Sequence, residues 1–288
     1  MPGDKQTLVV NLDETSVGNA FHGAKGNIAR RAKGPAGRPT ADAPRAQLRG
    51  AVTHVALLTH NTQIQPLLPQ ILIGNKAKFT RAWLDVGQAR QPPHVHLIRA
   101  VSAWNSGVLM HQFLEHLAFA LAPHPQFQII LVLDTAKCHL VYDILRRASA
   151  LGIWLCSIPA RPTWLLQPLD VAVFSSYKAF LRREFQVCLQ QQNGRVSDAR
   201  WMELLFKVAT TFLRRSPWQK AFDALGMLGD RSSLSHTLLK YCPDAAQAAP
   251  SRRPLRADLT LAFPRRTRIQ YWTLLGRPSG LVRRLTIV

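Results

Sequence analysis

Apolar residues in this chain fall first into short unbroken runs and then into helical stripes. Residues 7–12 are rich in Val and Leu without a three-to-four-residue stripe, which predicts a buried strand. Runs 51–59 and 64–73, parted by His60-Asn61-Thr62-Gln63, predict a hairpin whose second arm lies at a sheet edge or bulge because of Pro66 and Pro69. Leu109, Phe113, Leu117 and Leu121 recur at helical spacing, with Leu114 and Ala118 widening the face, and predict a helix over 105–121. Run 128–133 lacks polar alternation, as expected of a central parallel strand covered on both faces. A helix over 140–151 follows, on a stripe of Val141, Ile144, Leu145 and Ala148 that Gly152 stops, and then a strand over 152–158. From Asp170 onward Phe174, Tyr177, Leu181, Phe185 and Cys188 predict a long helix, with Asp170 on the same inward face as Phe174 and Tyr177. Two more helices are expected over 199–215 and 217–227.

This order describes an α/β fold, a mixed sheet that begins antiparallel and continues with parallel strands joined by helices. Such crossovers bring strand carboxyl ends to one edge of the sheet. Three aspartates fall at the transitions: Asp13 after the first run, Asp134 after 128–133, and Asp170 after Leu165-Leu166-Gln167-Pro168-Leu169. They converge if the first strand lies beside the one that ends at Asp134. Carboxylates gathered at buried strand tips need positive charge to stay ionised, and a divalent cation supplies it. Taken singly, each also fits a turn or a helix cap.

Charge adds a partner to this picture. Lys and Arg number 37 against 16 Asp and Glu, a formal charge of +21, so the chain attracts polyanions, of which nucleic acid is the commonest; a solvated basic surface is the plainer reading. Segment 22–50, with Arg30, Arg31 and Lys33 among Gly, Ala and Pro, is either a basic flap beside the first strand or a solvated loop. Lys178, Arg182 and Arg183 fall off the apolar stripe of the long helix, where they touch a substrate backbone or face water. Trp104 and Trp164 are expected to pack in the interior, with base stacking as the alternative. Beyond Cys242 the chain is rich in Pro and Arg and is expected to be largely irregular. The four cysteines show no C-x-x-C pairing, which argues against a zinc finger or a disulfide scaffold, and no apolar run approaches the roughly 18 residues of a membrane span. A soluble intracellular protein is the expectation.

The local words around the aspartates are more specific than their positions. Asn11-Leu12-Asp13-Glu14-Thr15, then Leu131-Val132-Leu133-Asp134 followed by Ala136 and Cys138-His139, and then Leu165-Leu166-Gln167-Pro168-Leu169-Asp170-Val171 resemble the three motifs of the DDE superfamily endonuclease domain of pogo-like and mariner-like transposases. The 35 residues between Asp134 and Asp170 are similar to that family's last interval. The resemblance spans about residues 7–230, leaving 231–288 as a basic tail. It implies a ribonuclease H-like fold, a mixed five-stranded sheet with flanking helices, in which Asp13, Asp134 and Asp170 bind Mg2+ or Mn2+, two ions in all, with Asp13 bridging. It also implies DNA as partner, allows a homodimer, and suggests the nucleus as the place of action. Glu14 is expected on the opposite face of its strand. His139 either positions a phosphate or water or caps the next helix. Lys137 stands where relatives commonly carry a small or Pro-like residue, and there it would aid phosphate binding or perturb the site.

Six residues precede the first strand, so recognition of transposon ends by a preceding helix-turn-helix domain is not expected of this chain. Three functions compete on the sequence: a metal-dependent DNA endonuclease or strand transferase, a domesticated or decayed copy that binds DNA without cutting it, and a nonspecific nucleic-acid binder with steeply salt-dependent affinity.

Overall fold

A computed structural model describes residues 5–17, 52–77, 79–101, 106–136, 139, 141–159, 162–191, 196–214, 217–228 and 231–246. One six-stranded sheet organises them. Strands β1 (Gln6–Val17), β2 (Val52–Thr59), β3 (Gln70–Asn75), β4 (Val95–Ala100), β5 (Phe127–Asp134) and β6 (Ile153–Ile158) lie in the order β4-β3-β2-β1-β5-β6. Neighbours β1 and β2, and β2 and β3, are antiparallel, whereas β5 runs parallel to β1, β6 to β5 and β4 to β3. The central order β3-β2-β1-β5-β6, antiparallel then parallel, is that of a ribonuclease H-like sheet.

Helices α1 (Arg81–Gln88), α2 (Gly107–Leu121), α3 (Tyr142–Ala150), α4 (Thr163–Leu166), α5 (Phe174–Gln191), α6 (Asp198–Lys207), α7 (Gln219–Asp223) and α8 (His236–Tyr241) complete the regular structure. The period-two alternation of the strands divides the core into two layers. Leu8, Val10, Leu12, Leu57, Ile71 and Leu131 pack against Met110, Phe113, Leu114 and Leu117 of α2 and Ile144 and Ala148 of α3. Val9, Ala56, Leu58, Leu72, Leu97 and Val132 meet Tyr177 and Leu181 of α5, Trp201 and Leu205 of α6, and Phe222 of α7. Because β1 is covered on both faces, its side chains from Leu8 to Leu12 are all buried.

Four features depart from the expectation. A sixth strand, β4, follows α1 and pairs parallel to β3, so β3 is an interior strand and not an edge. Pro66 accordingly sits in a short 3-10 helix (Gln65–Leu67) and Pro69 ahead of β3, where neither breaks the ladder. Strand β1 continues past residue 12 because β2 keeps pairing with it as far as Val17↔Val52, which puts Asp13 inside a strand. The helix over 199–215 changes at Val208 into a π segment (Val208–Leu213). Regular structure also extends past residue 230: α8 packs on α4. Segments 22–50 and 247–288 lie outside the described residues.

Glycine is required at two positions. Gly152, at φ +70°, ends α3 in the left-handed region that an L side chain rarely adopts. A Cβ at Gly74 would stand 2.4 Å from Phe79 Cγ, so β3 and the Phe79 ring meet only without one. Among the described residues no helix is long and apolar enough to cross a membrane, and Cys156, Cys188 and Cys242 form no disulfide.

A buried polar chain fastens α5 to the sheet. Tyr177 Oη donates to His54 Nδ1 at 2.8 Å, and His54 Nε2 donates to Gln70 Oε1 at 3.0 Å, an assignment set by Gln70, whose Oε1 also accepts from the Leu57 amide while its Nε2 donates to the Leu57 carbonyl. The imidazole is therefore neutral, and burial pushes His54 down to about 4 despite its bond to Gln70. A histidine held below its unfolded value of about 6.5 binds fewer protons folded than unfolded across that interval. Its contribution to stability is present above pH ~6.5 and is lost as the pH falls toward about 4. Tyr177→Phe is expected to cost about 1–3 kcal/mol at pH 7.5, measured as a lowered urea midpoint, because it leaves His54 Nδ1 buried without a donor.

Candidate functional site

The ladder between β1 and β5 ends at Asn11↔Val132. Two residues farther on each strand stand Asp13 and Asp134, level with one another and on the face that α5 covers. Strand β5 stops there, whereas β1 runs on beside β2 with Asp13 opposite Ala56. The two carboxylates thus share a notch made where one partner strand ends early.

Asp170 reaches the same edge from α4. That short helix leads through Gln167 and Pro168 into a π turn (Leu169–Val173), in which the Phe174 amide donates to the Leu169 carbonyl, five residues back. The wider turn shifts the helical phase. Leu169, Val173, Phe174 and Tyr177 are buried while Asp170 is exposed, so Asp170 does not share their inward face as the spacing had suggested. An extra residue in the turn turns its carboxylate out of the core.

Asn11 ties these parts together. It is fully buried in an apolar strand; its Nδ2 donates to the Val132 carbonyl at 3.1 Å, and its Oδ1 accepts from the Leu169 amide at 2.9 Å. Gln167 adds a second tie, donating from Nε2 to the Leu12 carbonyl at 3.0 Å. Its Oε1 is buried with no hydrogen-bond partner among the described residues. These amides fix the π turn against the strands that carry the other two aspartates. Their signal in the sequence is a polar residue inside an apolar run, since a buried amide must find partners.

Crowding shapes the electrostatics. Burial pushes the Asp13 carboxyl up to about 8; the charge of Asp170 adds to this, and those of Glu14 and Asp134 add less, against the Glu14 amide, which donates to Asp13 Oδ1 at 2.8 Å. Burial also raises Asp134, but the hydrogen bond and charge of His139 and the Ala136 amide outweigh it and hold Asp134 below the usual carboxylate range. His139 is 1% exposed, with Nδ1 2.7 Å from Asp134 Oδ1 and Nε2 3.2 Å from Glu14 Oε1. A neutral imidazole donates from one nitrogen only, so both contacts are hydrogen bonds when the ring is an imidazolium. Helix α3 begins without a side-chain cap, and the His139 ring is turned to the carboxylates.

Lys178, Arg182 and Arg183 lie on α5 with contacts along the helix itself: Lys178 Nζ over the Phe174 ring at 5.9 Å, Arg182 Nε to the Lys178 carbonyl at 3.2 Å, and Arg183 over Phe180 at 5.1 Å. Arg30, Arg31, Lys33, Lys137 and Trp104 lie outside the described residues. Trp164, expected in the interior, is instead 51% exposed, because Leu165 is the α4 side chain that turns into the core.

The donor set suits a hard divalent cation, since it consists of carboxylate oxygens, one of which holds its proton to about pH 8 when only carboxylates surround it. Among the described residues no three His, Cys, Asp or Glu side chains converge closely enough to ligate one ion. Asp13 and Asp134 each spend Oδ1 on protein donors, which leaves Oδ2 as the atom to turn toward a ligand.

Asn11→Ala is expected to lower stability by about 1–3 kcal/mol, because it removes the side-chain partner of the buried Leu169 amide and the side-chain bond to the Val132 carbonyl. Urea unfolding measures the loss. A change within 0.5 kcal/mol, roughly that of a surface substitution, would mean that the amide clamp does not hold the π turn.

The solved structure titled "Mos1 transposase paired-end complex with left transposon end" matches with a TM-score of 0.37 and 14% identity, over 76% of this chain and 55% of that one. This chain thus spans little more than half the length of that transposase. No curated protein matches. The family model described as DDE superfamily endonuclease matches residues 53–224, more than half of the chain, a span that contains Asp134 and Asp170 and that β1 supplements with Asp13. The chain belongs to the DDE superfamily endonucleases.

Proposed function

We propose that Asp13, Asp134 and Asp170 hold Mg2+ or Mn2+, two ions sharing Asp13, and that the chain is a divalent-metal-dependent DNA endonuclease and strand transferase of transposase origin, acting in the nucleus. The observation that carries this reading is the placement of Asp13 and Asp134 at level positions, two residues past the Asn11↔Val132 pair, in a chain that matches the DDE superfamily endonuclease model; burial and the charge of Asp170 push the Asp13 carboxyl up to about 8. Such a group takes either a proton or a cation. Bound there, the ions would activate a water or a 3' hydroxyl and stabilise the leaving oxygen of an in-line phosphoryl displacement.

The chain's own residues then have distinct tasks. Asp13 is the shared ligand, at the centre of the notch. His139 orients Asp134 by holding Oδ1, as an outer hydrogen bond orients a ligating carboxylate. The π turn presents Asp170 from the solvent side, and Asn11 keeps it level with the strands. A net charge of +21 attracts the DNA backbone to the chain as a whole.

A second reading has an observation in its favour. Because the acidic side chains do not converge on one point, a domesticated chain that binds DNA without cutting it is also consistent with the geometry. Nicking of supercoiled plasmid with Mn2+ separates the two. Wild-type protein is expected to nick, Asp134→Asn to fall to background, and His139→Ala to slow about 10- to 100-fold. DNA retention by both wild type and Asp134→Asn, with nicking by neither, would leave the binding reading.

The pH dependence follows from Asp13. Its proton must leave before a cation enters, so Mn2+ affinity is expected to rise by up to about tenfold per pH unit below about 8 and to level off above it. Calorimetric titration at pH 6.5, 7.5 and 8.5 checks this. An affinity flat across that range would contradict the role given to Asp13.

A further inference from the structure

We infer that the Trp164 indole, braced by Tyr241 and flanked by Lys240, is a stacking platform for an unpaired base of the DNA strand that reaches the aspartate edge. The inference rests on the DNA reading above and extends it to a part of the chain that the family match does not cover, since Tyr241 lies beyond residue 224.

Large aromatic side chains stabilise a fold by being buried, and two exposed ones in mutual contact leave that gain unrealised. Trp164 is 51% exposed and Tyr241 58% exposed, with ring centroids 5.1 Å apart and planes at 87°. An edge-to-face pair uses one face of one ring and an edge of the other, so the contact itself covers at most one face of the half-exposed indole. The Lys240 ammonium stands 5.8 Å from the Tyr241 centroid, on the same exposed surface.

Both rings are held by built structure. Leu165 turns into the core and fixes α4, which leaves its neighbour Trp164 outward. Helix α8 is capped by Ser235, whose Oγ accepts from the Leu238 amide at 3.1 Å; the Ser235 amide in turn donates to the Ala224 carbonyl at 2.9 Å, and Leu238 is buried beneath. The chain therefore folds back after α7 to set Tyr241 and Lys240 against α4. Five residues lie between Trp164 and Asp170, and this intervening segment is the one that Gln167 and Asn11 anchor to β1.

A half-exposed indole, with the Lys240 ammonium over the neighbouring Tyr241 ring, matches a nucleobase and its phosphate. Base–aromatic stacking is sequence-tolerant and is worth about 1–3 kcal/mol per base. Inside a duplex both faces of a base are already stacked on neighbours. The platform accordingly selects a base at a nick, a gap or a strand end, the species that cleavage at the adjacent carboxylates would generate.

Fluorescence anisotropy with two labelled single strands of equal length, one of thymidines and one of abasic residues, tests this without any requirement for cleavage. Both strands carry the same phosphates. Wild type is expected to bind the thymidine strand about tenfold or more tightly than the abasic one. Trp164→Ala is expected to lose that preference while binding the abasic strand as the wild type does, and Trp164→Phe to restore part of it. If Trp164→Ala does not fold, Tyr241→Ala, at an exposed position, is expected to weaken the preference in the same way. Equal wild-type affinity for the two strands, an equal loss on both strands, or no loss on either overturns the platform. Loss of the preference in a chain that never nicks plasmid would uphold the platform and sink the nuclease; nicking by a chain with no base preference would do the reverse.

Discussion

The arrangement of the three aspartates depends on one buried amide. Asn11 lies in the middle of the sheet, and its side chain is the direct polar link between β1, β5 and the π turn that carries Asp170. Hydrophobic packing alone would leave the turn free to slide over the face of the sheet, because apolar contacts have little directional preference. A fully buried amide has much more, since each of its atoms must meet a partner of the right kind at the right place. Gln167 repeats the device one strand residue later, at the Leu12 carbonyl. The register of Asp170 against Asp13 and Asp134 is thus a matter of hydrogen bonding laid over a packed core.

A tension follows from that placement. Burial and mutual repulsion hold Asp13 in its protonated form well into the neutral range, whereas Asp134 is held ionised by the imidazole and amide around Oδ1. Two carboxyls at level positions on neighbouring strands consequently favour opposite protonation states. A cation that reaches both removes the conflict, which is the physical content of the metal proposal. His139 and Glu14 continue the network away from the site, so that Asp134 Oδ1 is held from behind before any ion arrives.

Much of this could be read from the residues. Unbroken apolar runs mark β1, β2, β5 and β6, and the stripes mark α2, α3 and α5; that β1 lies beside β5 is in the sequence only a condition for the aspartates to meet, and the sheet fulfils it. Strand β4 and helix α1 were missed because Val95-His96-Leu97-Ile98-Arg99-Ala100 carries polar groups at an open sheet edge and has only two fully buried positions, Val95 and Leu97. The sequence marks Asp13 as a strand end because the apolar run stops before it, yet β2 supplies backbone partners there that no local pattern reveals. The π turn was invisible for a similar reason: its extra residue is accommodated by Asn11, 158 positions away. Trp164 was expected inside on its size alone, and the tertiary return of α8 is what gives it a neighbour at the surface. The ties at Asn11 and Gln167, by contrast, left a legible trace as polar letters in apolar words.

We propose that the three carboxylates held at this sheet edge by these ties bind divalent metal ions. Crystals grown with Mn2+ and measured at an energy where manganese scatters anomalously would test it most directly. The account predicts anomalous peaks between Asp13, Asp134 and Asp170, two of them about 3.5–4 Å apart with Asp13 in contact with both. Manganese bound elsewhere, with Asp13 protonated and Asp134 still turned wholly to His139, would contradict it.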